Sequence, residues 1–336
     1  MTSTTRLATS KDQAAIQAFI KEHWSSEHIF VVDDAFFRYE MCVNNVPNFV
    51  VSEISGKIVG LVGFIYNRDE LADSEIFLVM FRVLKVEGSA ALGIELIKYI
   101  QGLTRRGVHT VGANNRVLVY YRFLGFKTGH LRHYYWLSND RSAREDFLLK
   151  SETVDSSLNM KPIKEKSLAV EISQDDINSI VNNVDTAALH THIKSKSFFL
   201  KRFAAHPIYK YKFFRMPRFK DIIVIREANV NSHRVWRIVD FYGVNKNFPT
   251  LCAELLKLAQ SQSISFVDLY VSGITDTEVR KSGLSSISNN FVIPNYLEPL
   301  VMKNISISYV TSHRHEPIFF RGDGDQDRPS TARKFK

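Results

Sequence analysis

The sequence predicts an α+β fold made of a duplicated unit, with two mixed, mostly antiparallel sheets flanked by helices. Hydrophobic periodicity in the first half predicts a series of strands and helices that returns in the second half after about 160 residues. A charged, Ser-rich stretch without clear periodicity separates the two series. The length of 336 residues and the hydrophobic fraction of 45% fit two globular domains.

The first half begins with a short strand and an amphipathic helix, in which Ala15, Ile16, Phe19 and Ile20 recur at helical spacing. A hairpin follows, with its turn at Ser55-Gly56. The predicted elements are a strand at 5–10, helices at 11–23 and 34–42, strands within 48–67 and at 75–84, a helix at 91–103, a strand at 108–113, a helix at 116–124 and two strands within 127–137.

The second half repeats this order, which we interpret as gene duplication followed by divergence. The predicted elements are a strand at 168–172, helices at 174–183 and 194–205, strands at 210–215, 221–227 and 234–242, a helix at 250–262, a strand at 265–271, a helix at 276–282 and strands at 290–293, 304–310 and 317–321. We therefore place an N-terminal domain at 1–147, a linker at 148–165 and a C-terminal domain at 166–336.

Charge and composition limit the classes of molecule that the protein is expected to bind. The formal net charge of +9 favours an anionic partner, and the scattered Lys and Arg favour small phosphorylated molecules over nucleic acid. The longest apolar run is IFLVMF, so no membrane helix or membrane partner is expected. Only two cysteines, Cys42 and Cys252, argue against a disulfide framework or a zinc site. The first residues lack a secretory signal, and we expect a cytoplasmic protein.

The acidic stretch RGDGDQDRPS, residues 321–330, has the spacing of a calcium loop. Counted from Asp323, position six is Arg328 and position twelve is Lys334, where an EF-hand needs Gly and Glu. We therefore predict no metal. The stretch is a solvated turn before a frayed tail, or a carboxylate cluster that binds an organic cation or orders the tail.

A turn of small residues follows the third predicted strand of the first half. Its members are Gly88, Ser89, Ala90, Ala91 and Gly93, and they open directly into an amphipathic helix. Small side chains let a ligand approach the backbone, and the N–H groups of a helix start suit a diphosphate. The same composition also serves helix packing. It is not a P-loop, because no Gly-Lys-Ser/Thr follows.

The stretch YRFLGF, from Tyr121 to Phe126, resembles the Y-x-x-L-G-F signature of the GNAT acyltransferases, with Asn114 seven residues before the tyrosine. In that family the turn after the third strand carries Gln/Arg-x-x-Gly-x-Gly/Ala and holds the acyl-CoA diphosphate. Residues 88–93 match this pattern at Ala91 and Gly93 and lack the Gln/Arg. The resemblance implies a GNAT fold in both halves, with acyl-CoA bound at residues 88–93.

The same resemblance implies roles in catalysis. Backbone N–H groups from Phe81 to Val83 would stabilise the oxyanion, Tyr121 would protonate the leaving thiolate, and Asn114 would orient a water or the arm of the cofactor. The alternatives are a core tyrosine and a turn cap. Glu75 and His109 are the candidates for the general base in the first half, and a structural role is the alternative for both.

The second half departs from the acyl-CoA pattern. Phe248 and Pro249 occupy the turn where small residues are needed, and proline has no N–H to donate. The stretch VRKSGL, at 279–284, replaces the tyrosine motif without a tyrosine. We therefore expect a degenerate copy that binds no acyl-CoA and shapes the acceptor pocket.

Three stretches of the second half, FLKRFAAHPIYKY, IPNYLEPL and RGDGDQDRP, resemble two-domain GNAT proteins of the FdhC type. That family N-acylates nucleotide-linked amino sugars for bacterial surface polysaccharides such as the O-antigen of lipopolysaccharide. The resemblance implies an acetyl or short hydroxyacyl donor such as 3-hydroxybutanoyl-CoA, and a dTDP-linked 3-amino-3,6-dideoxyhexose as acceptor. The implied acceptor residues are Arg202, His206, Tyr296, Asp323, Asp325, Asp327 and Arg328.

Two other readings stay open. Transferases of the Fem type also pair two GNAT-like halves and take aminoacyl-tRNA, and they call for a continuous basic face. A catalytically silent pair would act as a binding scaffold. The retention of Tyr121 beside the small-residue turn favours an enzyme.

Overall fold

The computed structural model describes residues 3–89, 91–138, 166–183, 194–230, 233–287, 292–295 and 303–329. The chain divides into two compact units. The first unit comprises Met1–Gly129, Ser308–Arg314 and Arg328–Lys336. The second unit comprises His130–Ile307 and His315–Asp327.

Fifteen strands are described, and most are short. They are β1 (Ser3–Leu7), β2 (Cys42–Val43), β3 (Val46–Pro47), β4 (Phe49–Ile54), β5 (Lys57–Tyr66), β6 (Ile76–Val83), β7 (Val108–Val111), β8 (Lys127–Leu137), β9 (Val170–Ile172), β10 (Tyr211–Arg215), β11 (Ile222–Val230), β12 (His233–Tyr242), β13 (Phe266–Val271), β14 (Ser285–Ser286) and β15 (Ile307–Thr311).

The helices flank these strands in both units. They are α1 (Gln13–His23), α2 (Ile29–Val32), α3 (Asp34–Met41), α4 (Leu92–Gln101), α5 (Leu118–Phe123), α6 (Ile177–Asn182), α7 (Lys196–Phe199), α8 (Phe248–Ser261) and α9 (Asp276–Lys281). A π-helical turn, Leu200–Ala204, continues α7. Among the described residues no helix is both long and apolar enough to cross a membrane.

The sheet of the first unit runs in the order β1-β4-β5-β6-β7-β15. All neighbouring strands are antiparallel except β6 and β7, which are parallel. Helix α4 follows β6 and buries Leu92, Leu96, Ile97 and Ile100 at the 3.6-residue period. These side chains join the core of this unit. The helix thereby fixes the direction in which the chain leaves the end of β6.

The sheet of the second unit runs in the order β9-β10-β11-β12-β13-β8, with β14 added to β8. Here too one neighbouring pair is parallel, β12 with β13, and the others are antiparallel. Helix α8 corresponds to α4 and buries Leu251, Leu255 and Ala259 in the core of this unit.

The two sheets therefore have the same strand order and the same polarity, strand for strand. This confirms the predicted α+β class with two mixed, mostly antiparallel sheets in a tandem repeat. The sixth strand of each sheet, however, comes from the other half of the sequence. Strand β15 pairs with β7 through Tyr309↔Val111, and β8 pairs with β13 through Leu137↔Phe266.

Several element predictions differ from the structure. The two strands predicted within 127–137 are one strand, β8. The units are not the continuous stretches 1–147 and 166–336, because His130 onward and Ser308–Arg314 belong to the opposite units. The predicted linker at 148–165 lies outside the described residues. At 317–321 a single bridge, Val271↔Phe320, replaces the predicted strand.

Candidate active site

In the first unit, the pairing between the parallel strands β6 and β7 is short. Strands β6 and β7 are paired only at Ile76↔Val108 and Phe77↔His109. Strand β6 continues to Val83, and among the described residues no strand pairs with that stretch on the side of β7. The backbone groups of such an unpaired edge need a partner. A ligand with amide groups can supply one by lying along the edge.

A β-bulge marks the start of this unpaired stretch. Gly63 on β5 pairs with Met80 and Phe64 pairs with Leu78, so Val79 is the extra residue. A bulge bends the strand and turns its backbone groups toward a new direction, as often happens beside active sites. The bulge thus lies before the predicted oxyanion donors, Phe81 to Val83. Those donors stay a prediction.

The small-residue turn leads from β6 into α4. Gly88 has a φ of +83°, a conformation in which other residues are strained, and the Ser89 hydroxyl donates to the Val86 carbonyl oxygen at 2.7 Å. Ala91 caps the helix without a side-chain hydrogen bond. A Cβ on Gly93 would lie 3.5 Å from Phe81 Cζ, which is ordinary contact. Gly88 and Ala91 are exposed, so an anion can approach the turn at these two residues. The N–H groups of Ser89 and Leu92 already donate to the Val86 and Ser89 carbonyl oxygens, and Ala90 lies outside the described residues.

Tyr121 is buried on the short helix α5, in the same core cluster as Ile76 and Leu78 from β6. Its ring meets Phe126 edge to face, with centroids 5.5 Å apart. Burial raises the pKa of the Tyr121 phenol well above its usual value. The hydroxyl is therefore protonated throughout the neutral range and is available as a hydrogen-bond and proton donor.

Asn114 caps the turn that precedes α5. Its Oδ1 accepts a hydrogen bond from the Arg116 N–H at 3.0 Å. The capping alternative for Asn114 is therefore present in the structure. Its predicted part in catalysis rests on the remaining amide group and stays a prediction.

The corresponding strands of the second unit are paired further. Strands β12 and β13 pair over four positions, from Val235↔Phe266 to Ile238↔Leu269. A bulge occurs at the equivalent place, since Val224 pairs with Asp240 and Ile225 pairs with Ile238 and leaves Val239 as the extra residue. The bulged edge thus recurs in the second unit with a shorter free stretch.

The chain itself occupies that free stretch in the second unit. The Gly322 N–H donates to the Val239 carbonyl oxygen at 2.6 Å, and Phe320 bridges to Val271 on β13. The segment 320–322 is therefore bonded to both strands, at the place where β12 and β13 part. A Cβ on Gly322 would lie 2.6 Å from the Val239 carbonyl oxygen, so only glycine fits there.

A carboxylate occupies the start of the helix that follows β12. Asp221 accepts hydrogen bonds from the Val244 N–H at 2.5 Å and from Asn247 Nδ2 at 2.9 Å. Phe248, the first residue of α8, is fully buried, and Pro249 follows it. This internal carboxylate takes two donors of the turn before α8, which supports the prediction of a degenerate second copy.

The described part of the acidic stretch, residues 321–329, is mostly buried and is held by ion pairs, so it is not a solvated turn. Asp323 Oδ1 lies 2.9 Å from Lys194 Nζ, and Lys194 also contacts Asp240 at 2.5 Å. Burial raises the pKa of Asp240 to about 6, against the opposing charge of Lys194. The Asp323 carboxylate also accepts from the Phe320 N–H at 2.8 Å, which holds the turn that begins at the inserted segment.

Asp327 anchors the other end of the stretch. Its carboxylate accepts from the Tyr211 hydroxyl at 2.9 Å and lies 2.9 Å from Arg226 Nη2. Arg202, on the π-helical turn, donates to the Gly324 carbonyl oxygen at 2.8 Å. Three of the predicted acceptor residues, Arg202, Asp323 and Asp327, thus bind other parts of the second unit. Contact with a sugar stays a prediction for them and for Asp325, which is half-buried.

Of the remaining predicted acceptor residues, His206 lies beside this network, with its ring edge to face on Tyr211 at 5.8 Å between centroids. His206 Nδ1 accepts from the Tyr209 N–H at 2.9 Å, and its ring stacks on Tyr209. Arg328 belongs to the first unit, where its guanidinium lies 4.6 Å from the centre of the Phe30 ring. Tyr296 lies outside the described residues.

The two candidate bases, Glu75 and His109, form a cluster with a third residue, His313. His109 Nε2 lies 2.7 Å from Glu75 Oε2, and His313 Nε2 lies 3.1 Å from the same oxygen. His313 follows β15 and was not predicted, because it is more than two hundred positions from Glu75 and its stretch, TSHRHEP, resembles no motif. Only the pairing of β15 with β7 brings it there.

Comparison with known proteins supports the fold. No protein-family model matches the sequence, and no curated protein matches it. The structure is similar to a GCN5-related N-acetyltransferase from Anabaena variabilis, with a TM-score of 0.56, 10% identity and coverage of 92% of this chain and 72% of that one. It is also similar to a GCN5-related N-acetyltransferase from Kribbella flavida, with a TM-score of 0.52, 9% identity and coverage of 92% and 70%. At such low identity the likeness concerns the fold alone: this chain carries the fold of the GCN5-related N-acetyltransferases in two copies.

Proposed function

We propose that the protein is an acyl-CoA-dependent N-acyltransferase whose cofactor binds the first unit. One observation carries the proposal. Each unit has a bulged strand with an equivalent edge. In the second unit the chain's own Gly322 bonds to that edge at Val239. In the first unit, among the described residues, no strand pairs with β6 beside Val79 on the side of β7. The amide-bearing arm of coenzyme A can satisfy that edge as the peptide segment does in the second unit.

The turn after β6 completes the cofactor site. A diphosphate placed at this turn meets the exposed Gly88 and Ala91 at a helix start, where the partial positive charge favours an anion. The described turn before α8 in the second unit suits an anion less, because the Asp221 carboxylate already accepts from Val244 and Asn247 there. We therefore assign one acyl-CoA to each chain.

The reaction is direct attack of a neutral amine on the thioester carbonyl carbon. The C–N bond forms, the carbonyl oxygen becomes an oxyanion that backbone N–H groups at Phe81 to Val83 stabilise, and the C–S bond then breaks. The leaving thiolate accepts a hydrogen bond and then the proton of the Tyr121 hydroxyl, the former amine nitrogen releases its extra proton to solvent as the amide forms, and the tyrosine regains a proton from solvent. The raised pKa of Tyr121 keeps that proton in place until the thiolate forms. Asn114 holds the turn that carries α5 and hence Tyr121.

For the acceptor we propose a nucleotide-linked amino sugar, of the dTDP-linked 3-amino-3,6-dideoxyhexose class. Beside the motif resemblance, the charge of the second unit supports a phosphorylated acceptor. Four guanidinium groups lie around the two carboxylates Asp268 and Asp327, whereas the nearby Asp240 and Asp323 are paired with Lys194; the four are Arg202, Arg226, Arg237 and Arg321. Burial and the neighbouring Arg237 lower the pKa of Arg321 to about 9, a cost that a bound phosphate would relieve.

The test is release of free thiol from acetyl-CoA and from 3-hydroxybutanoyl-CoA, with a panel of dTDP- and UDP-linked amino sugars. We expect release with at least one pair and an amide product of the sugar. Asp325→Asn should raise the acceptor KM and leave the acyl-CoA KM unchanged if Asp325 contacts the amine. Thiol release from no donor with any sugar, together with tight binding of tRNA, would instead support the aminoacyl-tRNA alternative.

A further inference from the structure

A cluster of two imidazoles and one carboxylate lies in the first unit, at the end of β6 away from the small-residue turn. Glu75 precedes β6, His109 lies within β7, and His313 follows β15. Their nearest ligand atoms all lie within 4.8 Å of one another. Strand β6 has eight residues, so the cluster and the turn are separated by about 26 Å of strand.

The three ligand atoms lie close together beside Gly107. A Cβ built on Gly107 would lie 2.5 Å from Glu75 Oε2, 2.5 Å from His313 Nε2 and 2.7 Å from His109 Nε2. Real Cβ contacts are not this short, so a glycine at position 107 is what lets the three atoms approach one another here.

The surroundings orient the ligands as in metal sites. His109 Nδ1 lies 2.9 Å from Thr311 Oγ1, which also accepts from the His313 N–H at 3.0 Å. A hydroxyl oxygen has two lone pairs, so it can accept from both and leave His109 Nε2 as the electron-pair donor. The side chains of Glu75 and His109 are nearly or fully buried, whereas His313 is 39% exposed and gives an ion a route in from solvent.

We propose that Glu75, His109 and His313 form a binding site for one divalent cation of the zinc class. Two imidazoles and one carboxylate are a donor set that zinc prefers, and they leave a fourth position for water. The carboxylate oxygen now lies within hydrogen-bonding distance of both rings. An ion at tetrahedral angles separates its ligand atoms by about 3.4 Å, so the side chains move apart by about half an ångström on binding. Bound metal would tie the segment after β15 to β6 and β7.

The experiment uses the full-length chain without a polyhistidine tag, freed of metal by a chelator and titrated with zinc in a calorimeter. We expect one zinc per chain and a rise in melting temperature. His313→Gln should weaken zinc binding by at least about 100-fold. His315→Gln removes an exposed imidazole of the same segment and should leave zinc affinity and stoichiometry unchanged.

A second variant guards against misfolding. Gly107→Ala places a methyl group 2.5–2.7 Å from the three ligand atoms, which pushes them apart, and should abolish the site while all three ligand residues remain, with circular dichroism checking the fold. Wild-type protein without saturable zinc binding, or equal zinc affinity in the wild type, His313→Gln and Gly107→Ala, overturns the proposal. Because zinc binding is read directly, the result is independent of whether the protein transfers acyl groups.

Discussion

Tyr121 is the residue on which the proposed chemistry depends most. Its phenol is buried among core side chains, and burial alone raises its pKa. A tyrosine of ordinary pKa begins to lose its proton near pH 10. Tyr121 should keep its proton beyond that, and activity should not fall through deprotonation of this residue on the alkaline side.

Replacing Tyr121 by Phe removes the proton donor and keeps the ring that packs on Phe126. We expect kcat to fall on the order of 100-fold, because general acid catalysis is lost, with little change in the KM for acyl-CoA. Steady-state kinetics of thiol release measure both constants. An unchanged kcat in a folded Tyr121→Phe protein would assign the tyrosine to packing.

His28 gives a prediction about stability. Burial, followed by the charge of Arg328, lowers its pKa from 6.5 to about 4, while its Nδ1 caps α2 through the Phe30 N–H at 3.2 Å. Between pH 6.5 and pH 4 the unfolded chain therefore binds a proton that the folded chain does not. The contribution of His28 to folding stability is fully present above pH 6.5 and is lost as the pH falls through the folded-state pKa, by up to about 3 kcal/mol.

Asparagine is a good cap that does not titrate, so His28→Asn removes this pH dependence and keeps a cap on α2. Urea denaturation from pH 7 to pH 4 should show a smaller loss of free energy of unfolding in the variant than in the wild type. Equal slopes would mean that His28 titrates normally in the folded protein.

At the scale of elements, the two units differ most in what covers the edge of their bulged strand. The same bulge occurs in β6 and in β12, at Val79 and Val239. Among the described residues, only the second is covered by the chain, through Gly322. Close approach thereby explains Gly322, and ion pairs with Lys194 and Arg226 explain Asp323 and Asp327.

The insertion of segment 320–322 can be tested with glycine variants. Gly322→Ala places a methyl group against the Val239 carbonyl oxygen, and this backbone atom cannot easily move aside. The substitution should therefore lower the free energy of unfolding by about 1–3 kcal/mol. Gly93→Ala is the matched control, since its methyl group meets Phe81 at ordinary distance and alanine favours the helix by up to about 1 kcal/mol. Chemical denaturation measures both. Equal stability of the two variants would remove the claim of close approach.

Some elements could be predicted and others could not, for local reasons. Helices α1 and α4 and strands β5 and β6 have strong periodicity and were placed within a few residues. The short helix α2 and the hairpin of β2 and β3 have two to four residues each, too few to show a period. Likewise the turn at 88–93 and Tyr121 can each be recognised from a short local stretch of sequence. The ion-pair partners of Asp323 and Asp327 could not be predicted, because they lie far away in sequence.

For the whole molecule, the repeat was predicted from the recurring order of elements and is confirmed by the two sheets. The origin of the sixth strand in each sheet was not predicted. Strand β15, with the sequence ISYVT, is fully buried, and its pattern does not reveal whether it pairs with β7 or within its own half. Such pairing is decided by tertiary contacts between distant segments, and it is what places His313 beside Glu75.

Calorimetric titration with coenzyme A is the most direct test of the central claim, that a single cofactor binds at the turn after β6. We expect one site per chain. Ser89→Asp keeps an acceptor for the Val86 N–H and adds a negative charge to the turn, so the Kd should rise at least about tenfold. Thr250→Asp adds the same charge to the exposed first turn of α8 and should leave the Kd unchanged. Absence of binding, or binding that Thr250→Asp weakens and Ser89→Asp does not, would contradict the account.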